Sequence, residues 1–174
     1  MKFNLIKLKS VDSTNNYAIS LLKKKNFIQS IIIANEQTKG RGRLKNKWIS
    51  LKGNIFMSIV FEVNKKYSLQ KITKMNYMII KGALKKFTKK EIKIKKPNDL
   101  LIDNKKFCGI LQETLFLNKK KYIIVGIGIN LSKSPKIEGY KTTHISTFSK
   151  KKITKSIIFN SLRNNYENNV GRFL

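Results

Sequence analysis

Residues 122–131 read YIIVGIGINL, the longest nearly apolar run in the chain. Ten residues is about half of what a membrane-spanning helix requires. Two glycines inside the run also argue against a helix. A short apolar run rich in β-branched residues reads as a buried strand, here over residues 122–129. At 174 residues the chain is long enough for one domain with a real core and short for two. Its 41% apolar content fits a globule.

The rest of the chain supplies partners for that strand. Residues 30–34 and 55–63 are further apolar, β-rich runs, separated by a polar, glycine-containing loop over residues 35–53. Residues 92–95 alternate apolar and basic side chains, as an edge or half-buried strand does, until Pro97 and Asn98 break the pattern. Residues 100–102 and 107–117, joined by a turn at Asp103-Asn104, predict a hairpin. Ser13 or Asp12 predicts the N-cap of a helix carrying Tyr17, Ala18, Leu21 and Leu22 on one face. Leu69, Ile72, Met75, Ile79, Ala83 and Phe87 trace a longer helix after Ser68. Residues 153–166 predict a terminal helix, whereas the stretch after Ser134-Pro135 is polar and poorly patterned. No repeat or linker interrupts residues 1–174. Strands outnumber helices and short turns join several of them, so the expected class is α+β, a mixed central sheet flanked by helices.

The formal charge of +29 points on its own to an anionic partner such as nucleic acid. The composition argues otherwise. There are 34 Lys but four Arg, together with 25 Ile and 18 Asn. Drift toward AT-rich codons enriches Lys, Ile and Asn together, whereas readers of nucleic acid favour Arg for bidentate contacts. The lysines are also scattered. Cys108 is the sole cysteine, so no internal disulfide forms and a reducing compartment is expected. Met1-Lys2-Phe3-Asn4 begins without the apolar segment of a signal peptide. A soluble, cytoplasmic protein is expected.

Gly40-Arg41-Gly42-Arg43 holds two of the four arginines. Glycines let the backbone approach a ligand, and guanidinium groups clamp phosphate or carboxylate. Trp48, the one tryptophan, offers a face for stacking on a flat base. Residue chemistry leaves this segment open between a ligand loop and an exposed basic turn beside a core Trp. Lys96-Pro97-Asn98-Asp99 puts an amide and a carboxylate at a rigid turn, open between ligand contacts and self-satisfied turn residues. Lys105 and Lys106 head a strand in which Cys108 reads as core, without an obvious partner base, since His144, the one histidine, lies in a weakly patterned region. Gly126 and Gly128 end the strongest strand before Asn130, and could admit a ligand against the sheet. They are not a dinucleotide fingerprint, because the third glycine and the following helix are missing.

In this order the pieces resemble the catalytic domain of biotin–protein ligases. The resemblance runs from Asp12-Ser13-Thr14-Asn15 through Gln37, Gly40-Arg41-Gly42-Arg43, Trp48 and Pro97-Asn98-Asp99-Leu100. It continues through Lys106, Gly109-Ile110-Leu111 and Glu113 to Gly126-Ile127-Gly128-Ile129-Asn130-Leu131. The fold it implies is a mixed sheet related to class II aminoacyl-tRNA synthetases. The activity it implies has two steps: ATP and biotin, with Mg²⁺ on the phosphates, form biotinyl-5′-AMP, and a lysine of a biotin carboxyl carrier domain then takes the biotinyl group. By the same resemblance Ser13, Thr14, Asn15, Gln37, Arg41, Gly42, Arg43 and Lys106 contact biotin, and Gly40, Arg41, Arg43, Trp48, Asn98, Gly126 and Asn130 contact ATP or the adenylate. Lys106, Arg43 and Asp99 are the expected catalytic groups, with Asp99 orienting or deprotonating the acceptor lysine. Residues 38–47 are expected to order over the adenylate. No dedicated metal site, specific nucleic acid or membrane is implied, and a homodimer is possible.

The sequence departs from the family in three ways. Lys96 stands where the family usually has Trp, and Leu44, Lys45 and Asn46 stand where further Gly and Arg are common. By the resemblance, the 174 residues are expected to correspond to the catalytic domain alone, without a DNA-binding domain and with little or no C-terminal β-domain, and to act as a ligase without a repressor role. Two rival readings remain: a lipoate or octanoate ligase or transferase of the same fold, and a non-catalytic basic module that binds nucleic acid. A decayed ligase that binds biotin without turnover is a third.

Overall fold

The computed structural model of the chain describes residues 1–24 and 27–173. Its strands are β1 (Asn4–Val11), β2 (Ser30–Gln37), β3 (Ile55–Val63), β4 (Lys93–Lys95), β5 (Asp99–Ile102), β6 (Lys105–Leu117) and β7 (Lys120–Ile129). They form one sheet in the order β1-β2-β3-β7-β6-β5-β4. β1 and β2 run parallel, and every other neighbouring pair is antiparallel. The α+β class expected from the sequence is the one observed. The apolar run at residues 122–129 lies in β7, the middle strand, between β3 and β6. The helices are α1 (Thr14–Leu22), α2 (Leu69–Lys85) and α3 (Lys155–Asn169), with 3₁₀ turns at Ile145–Phe148 and Val170–Phe173.

Alternation along the strands divides the sheet into two unlike faces. Met57, Ile59, Ile110, Ile123, Val125, Ile127 and Ile129 face one side, where α2 and α3 cover them in a continuous core. Each of these residues is nearly or fully removed from water, a burial worth about 1.5–3 kcal/mol per side chain. On the opposite face α1 packs Ala18 and Leu22 on Ile32, Val60 and Ile124. The helix covers that half of the face only. The half next to it carries glycines and polar groups, and there the cleft forms.

Local sequence explains most element boundaries. Ser68 caps α2 by accepting a hydrogen bond from the Lys71 N–H. Asp103-Asn104 and Asn118-Lys119 adopt positive φ at both positions, the geometry that two-residue hairpins need. The hairpin expected at residues 100–117 forms with Asp103-Asn104 as its turn. β2 runs on to Gln37, so the polar loop starts at Thr38 and not at Asn35. β1 has no clear signature in the sequence. It is a half-exposed edge strand interrupted by lysines, and its parallel register with β2, Asn4 on Ser30 to Val11 on Gln37, comes from a partner 26 residues away. No helix among the described residues is long and apolar enough to cross a membrane.

Asn54, fully buried, closes the chain after β7. Its Oδ1 accepts from the N–H groups of Leu131, Ser132 and Lys133, and its Nδ2 donates to the Lys133 carbonyl at 2.9 Å. Removing one amide therefore strands several buried backbone groups. Asn54→Ala is expected to destabilise the protein by about 3 kcal/mol in urea-induced unfolding.

Candidate functional site

On the α1 face, Phe56, Gly128 and Gly109 lie side by side on β3, β7 and β6, and Ser58, Gly126 and Leu111 form the next row. The three glycines leave bare backbone as a floor. The Trp48 indole lies directly on it. A β-carbon at Gly109 would stand 2.7 Å from Trp48 Cζ3, and one at Gly128 would overlap the same ring. A β-carbon at Gly126 would overlap the Asn15 amide. No residue but glycine fits these places without displacing what covers them.

The walls come from five segments. Ser13, Thr14 and Asn15 open α1, Gln37 ends β2, Arg41 and Trp48 flank the loop over residues 40–48, and Asn98 and Lys106 rise from the β4–β5 turn and β6. About 40 Å³ of free space remains among them, enough for a few waters and far less than the ~300 Å³ of an ordinary ligand pocket. The Trp48 loop covers this space. That loop is itself a small hairpin: Arg41 pairs with Lys47, the Trp48 N–H donates to the Gly40 carbonyl at 3.0 Å, and the tip turns through Leu44 and Lys45 at φ 51° and 62°. Non-glycine residues enter this left-handed region at a cost of about 1 kcal/mol each.

A chain of hydrogen bonds ties both ends of this hairpin to the sheet. Arg41 Nη2 donates to Glu113 Oε2 at 2.6 Å, and Asn15 Nδ2 donates to the same oxygen at 2.7 Å. The Ser58 hydroxyl lies 2.5 Å from Asn15 Oδ1 and 2.7 Å from the Thr14 hydroxyl. Thr14 donates through its N–H and its hydroxyl to Gln37 Oε1. Gln37 Nε2 donates to Ser50, whose hydroxyl reaches the Trp48 carbonyl at 3.4 Å. Two buried donors in the cleft, Arg41 Nε and Trp48 Nε1, have no hydrogen-bond partner among the described residues. Buried donors of this kind are satisfied by ligand or water.

At the other side Lys106 Nζ stands 2.7 Å from Asp99 Oδ1. The approach is poorly aligned for a hydrogen bond, so the attraction is chiefly coulombic. Both side chains are largely buried, which raises the strength and the desolvation cost of the pair together. Tyr140 donates to Asp99 Oδ2 at 2.6 Å. Burial, followed by that bond and the charge of Asp99, pushes the Tyr140 hydroxyl well above its ordinary pKa, so it remains a donor. The rings of Trp48 and Tyr140 each lie 5.4 Å from the ammonium, within cation–π range. Lys106 is thus held by one carboxylate and two aromatic faces.

The cleft brings together Ser13, Thr14, Asn15, Gln37, Arg41, Trp48, Asn98, Lys106 and Gly126. Asp99 lies against Lys106 rather than in the lining. Gly40 and Gly42 line the outer side of the hairpin, and Arg43 reaches a neighbouring cavity of about 300 Å³ with Tyr77 and Asn98. Asn130 is buried behind the site, its Nδ2 donating to the Thr143 carbonyl. The Asn15 amide is engaged within the protein at both ends. Ser58 and Tyr140 are contributors that the sequence reading did not single out. A lone hydroxyl inside the apolar strand at residues 55–63 was the available signal for Ser58; Tyr140 had none. Cys108 is fully buried and burial pushes its thiol far up, so it is a core residue without thiolate character.

Two basic groups, each paired with a carboxylate, and short polar side chains thus surround a glycine floor on which Trp48 and Asn15 rest. The sequence and the fold have known relatives. The sequence model described as "Biotin/lipoate A/B protein ligase family" matches residues 8–130, and the chain belongs to that family. The bifunctional ligase/repressor BirA of Bacillus subtilis is 33% identical over 111 residues, 61% of this chain and 34% of that protein. The match spans about a third of the length of such curated relatives. A biotin protein ligase from Aquifex aeolicus, solved in complex with biotin and ATP, superposes with a TM-score of 0.79 at 30% identity, over 97% of this chain and 71% of that one. One from Leishmania major, in complex with biotinyl-5-AMP, gives 0.84 at 22% identity, over 98% and 76%. The shared fold is the one related to class II aminoacyl-tRNA synthetases.

The glycine floor is testable without any ligand, because Trp48 is the sole tryptophan. Gly128→Ala is expected to lift the indole from the sheet, shift its emission to longer wavelength and cost about 1–3 kcal/mol. The far-ultraviolet circular dichroism should remain that of the wild type.

Proposed function

We propose that the chain is an ATP-dependent ligase that forms biotinyl-5′-AMP and transfers biotin to a lysine of a biotin carboxyl carrier domain. The observation that carries this reading is the convergence of Lys106 and Arg41 on one small cleft with polar heads at one end. Two anions, a carboxylate and a triphosphate, must meet for adenylation, and cationic groups in a water-poor site lower the repulsion between them. The family membership supports the reading, as does the Aquifex aeolicus ligase solved with biotin and ATP.

In the first step the biotin carboxylate attacks the α-phosphorus of ATP, and the bond to pyrophosphate breaks. Lys106 leaves its pairing with Asp99 to hold the carboxylate and then the acyl-phosphate oxygen. Ser13, Thr14 and Gln37 meet the ureido head, Asn15 holds the wall beside it, and Trp48, Asn98 and Gly126 border the adenylate. Arg43 screens phosphate charge from the adjoining cavity, and Gly40, Gly42 and Asn130 support the loop and the strand end. Mg²⁺ travels with the phosphates. The two carboxylates beside the cleft, Asp99 and Glu113, are each taken by a basic side chain, so the nucleotide's own oxygens are the better ligands.

In the second step a neutral carrier lysine attacks the acyl carbon, the C–O bond to AMP breaks, and the amine loses one proton. Asp99, released once Lys106 serves the acyl phosphate, orients the amine and takes that proton. β6 from Leu111 to Leu117 pairs only with β7, and this free edge offers a place for a second copy or for the carrier.

Incubation with ATP, Mg²⁺, labelled biotin and a carrier domain tests the reading. Label on the carrier lysine is expected. Tight nucleic-acid binding without adenylate would overturn it, and labelling by lipoate or octanoate in place of biotin would move it to the sister chemistry. Lys106→Ala is expected to slow adenylate formation by about 10²–10³-fold. Asp99→Ala is expected to slow transfer more than adenylation, measured by single-turnover kinetics from preformed adenylate.

A further inference from the structure

Glu113 belongs to no wall of the cleft, yet two walls hang from it. Its Oε2 accepts from Arg41 Nη2 at 2.6 Å and from Asn15 Nδ2 at 2.7 Å. Arg41 comes from the hairpin that covers the cleft, and Asn15 from the first turn of α1. One oxygen atom therefore sets the distance between the two. The bond to Glu113 uses one end of the guanidinium and leaves Arg41 Nε buried and unpartnered. The bond to Asn15 settles that amide's orientation, with Oδ1 toward Ser58 and the whole group against Gly126.

We infer that Glu113 is a positioning residue for the acyl substrate, acting through Arg41 and Asn15 without touching the substrate itself. The inference rests on the biotin-ligase reading. Exposed ion pairs of ordinary geometry add little to stability, and the side chains of this pair are 37% and 28% exposed. What distinguishes Glu113 is the shared acceptor: a short, charge-assisted bond to each of two ligand walls. Losing its charge leaves Arg41 free to turn to solvent and widens the cleft on the side where the ring of the substrate must fit.

Quenching of Trp48 fluorescence by biotin, without ATP, reads this directly, because the single tryptophan lies in the cleft and no chemistry intervenes. Glu113→Gln and Arg41→Gln are each expected to weaken biotin binding about tenfold. The double variant should be weaker by less than the product of the two single losses, since the substitutions share the Arg41–Glu113 contact. Urea midpoints of the three variants should stay close to the wild-type value, which a merely structural role would not allow together with lost affinity. Binding by Glu113→Gln within twofold of wild type, or losses that multiply in the double variant, would overturn the inference alone. A wild-type protein whose fluorescence and adenylate formation both ignore biotin would overturn the ligase reading, and the inference with it.

Discussion

The site depends on bare backbone at Gly109, Gly126 and Gly128. β7 is the central strand, and two glycines in a central strand weaken it on propensity alone. The opposite face compensates, because Ile123, Val125, Ile127 and Ile129 are buried against the α2–α3 layer. Alternate residues of one strand thus perform unlike tasks. The isoleucines and valine hold the sheet, and the glycines between them leave one indole and one amide resting on peptide groups. Any side chain at those glycines would fill the cleft before a substrate could.

What rests on that floor is fixed from both ends. Arg41 hangs on Glu113, and the Trp48 carbonyl is reached through Ser50, Gln37 and Thr14. Between these anchors the hairpin turns through Leu44 and Lys45 in the left-handed region, with Leu44 86% exposed. The tip is therefore the least favourable part of the loop, and the anchored ends are the most constrained. About 40 Å³ of free space lies below it, and the anchors at Arg41 and Trp48 hold the hairpin over that space.

The sequence made much of this legible through local signals. The strand at residues 55–63 and the helix after Ser68 appear where their patterns place them. The Asp103-Asn104 turn likewise forms where the hairpin pattern requires it. Nine of the motif residues, from Ser13 to Gly126, meet at one cleft although they come from six separate segments, whereas Gly40, Gly42, Arg43 and Asp99 lie outside its lining. What stayed hidden depends on distant partners. β1 is specified by its parallel neighbour and not by its own lysine-interrupted pattern. Tyr140 is placed by Lys106 itself, whose N–H donates to the Lys141 carbonyl and whose carbonyl accepts from the Thr143 N–H. Nothing in the polar stretch around Tyr140 signals that pairing. The terminal amide of Asn15 shows the same limit: its position in the cleft was readable from the motif, and its internal partners were not.

The distribution of arginine sharpens the question of charge. In a chain with 34 lysines, two of the four arginines are found in ion pairs among the described residues. Arg41 and Arg163 hold Glu113 and Glu167, carboxylates 28% and 7% exposed. The lysines paired with Glu62, Asp103 and Glu167 are themselves more than half exposed. A guanidinium is weakly hydrated and presents its donors in a fixed fork, so it meets a sheltered carboxylate at lower desolvation cost than an ammonium does. Lys106 is the exception among the lysine pairs, 19% exposed beside Asp99. There a compact ammonium serves better, because it can turn from one carboxylate to another within the same aromatic cage. Of the chain's many cations, Lys106 and Arg41 are the two that line the cleft, and each is paired with a carboxylate there.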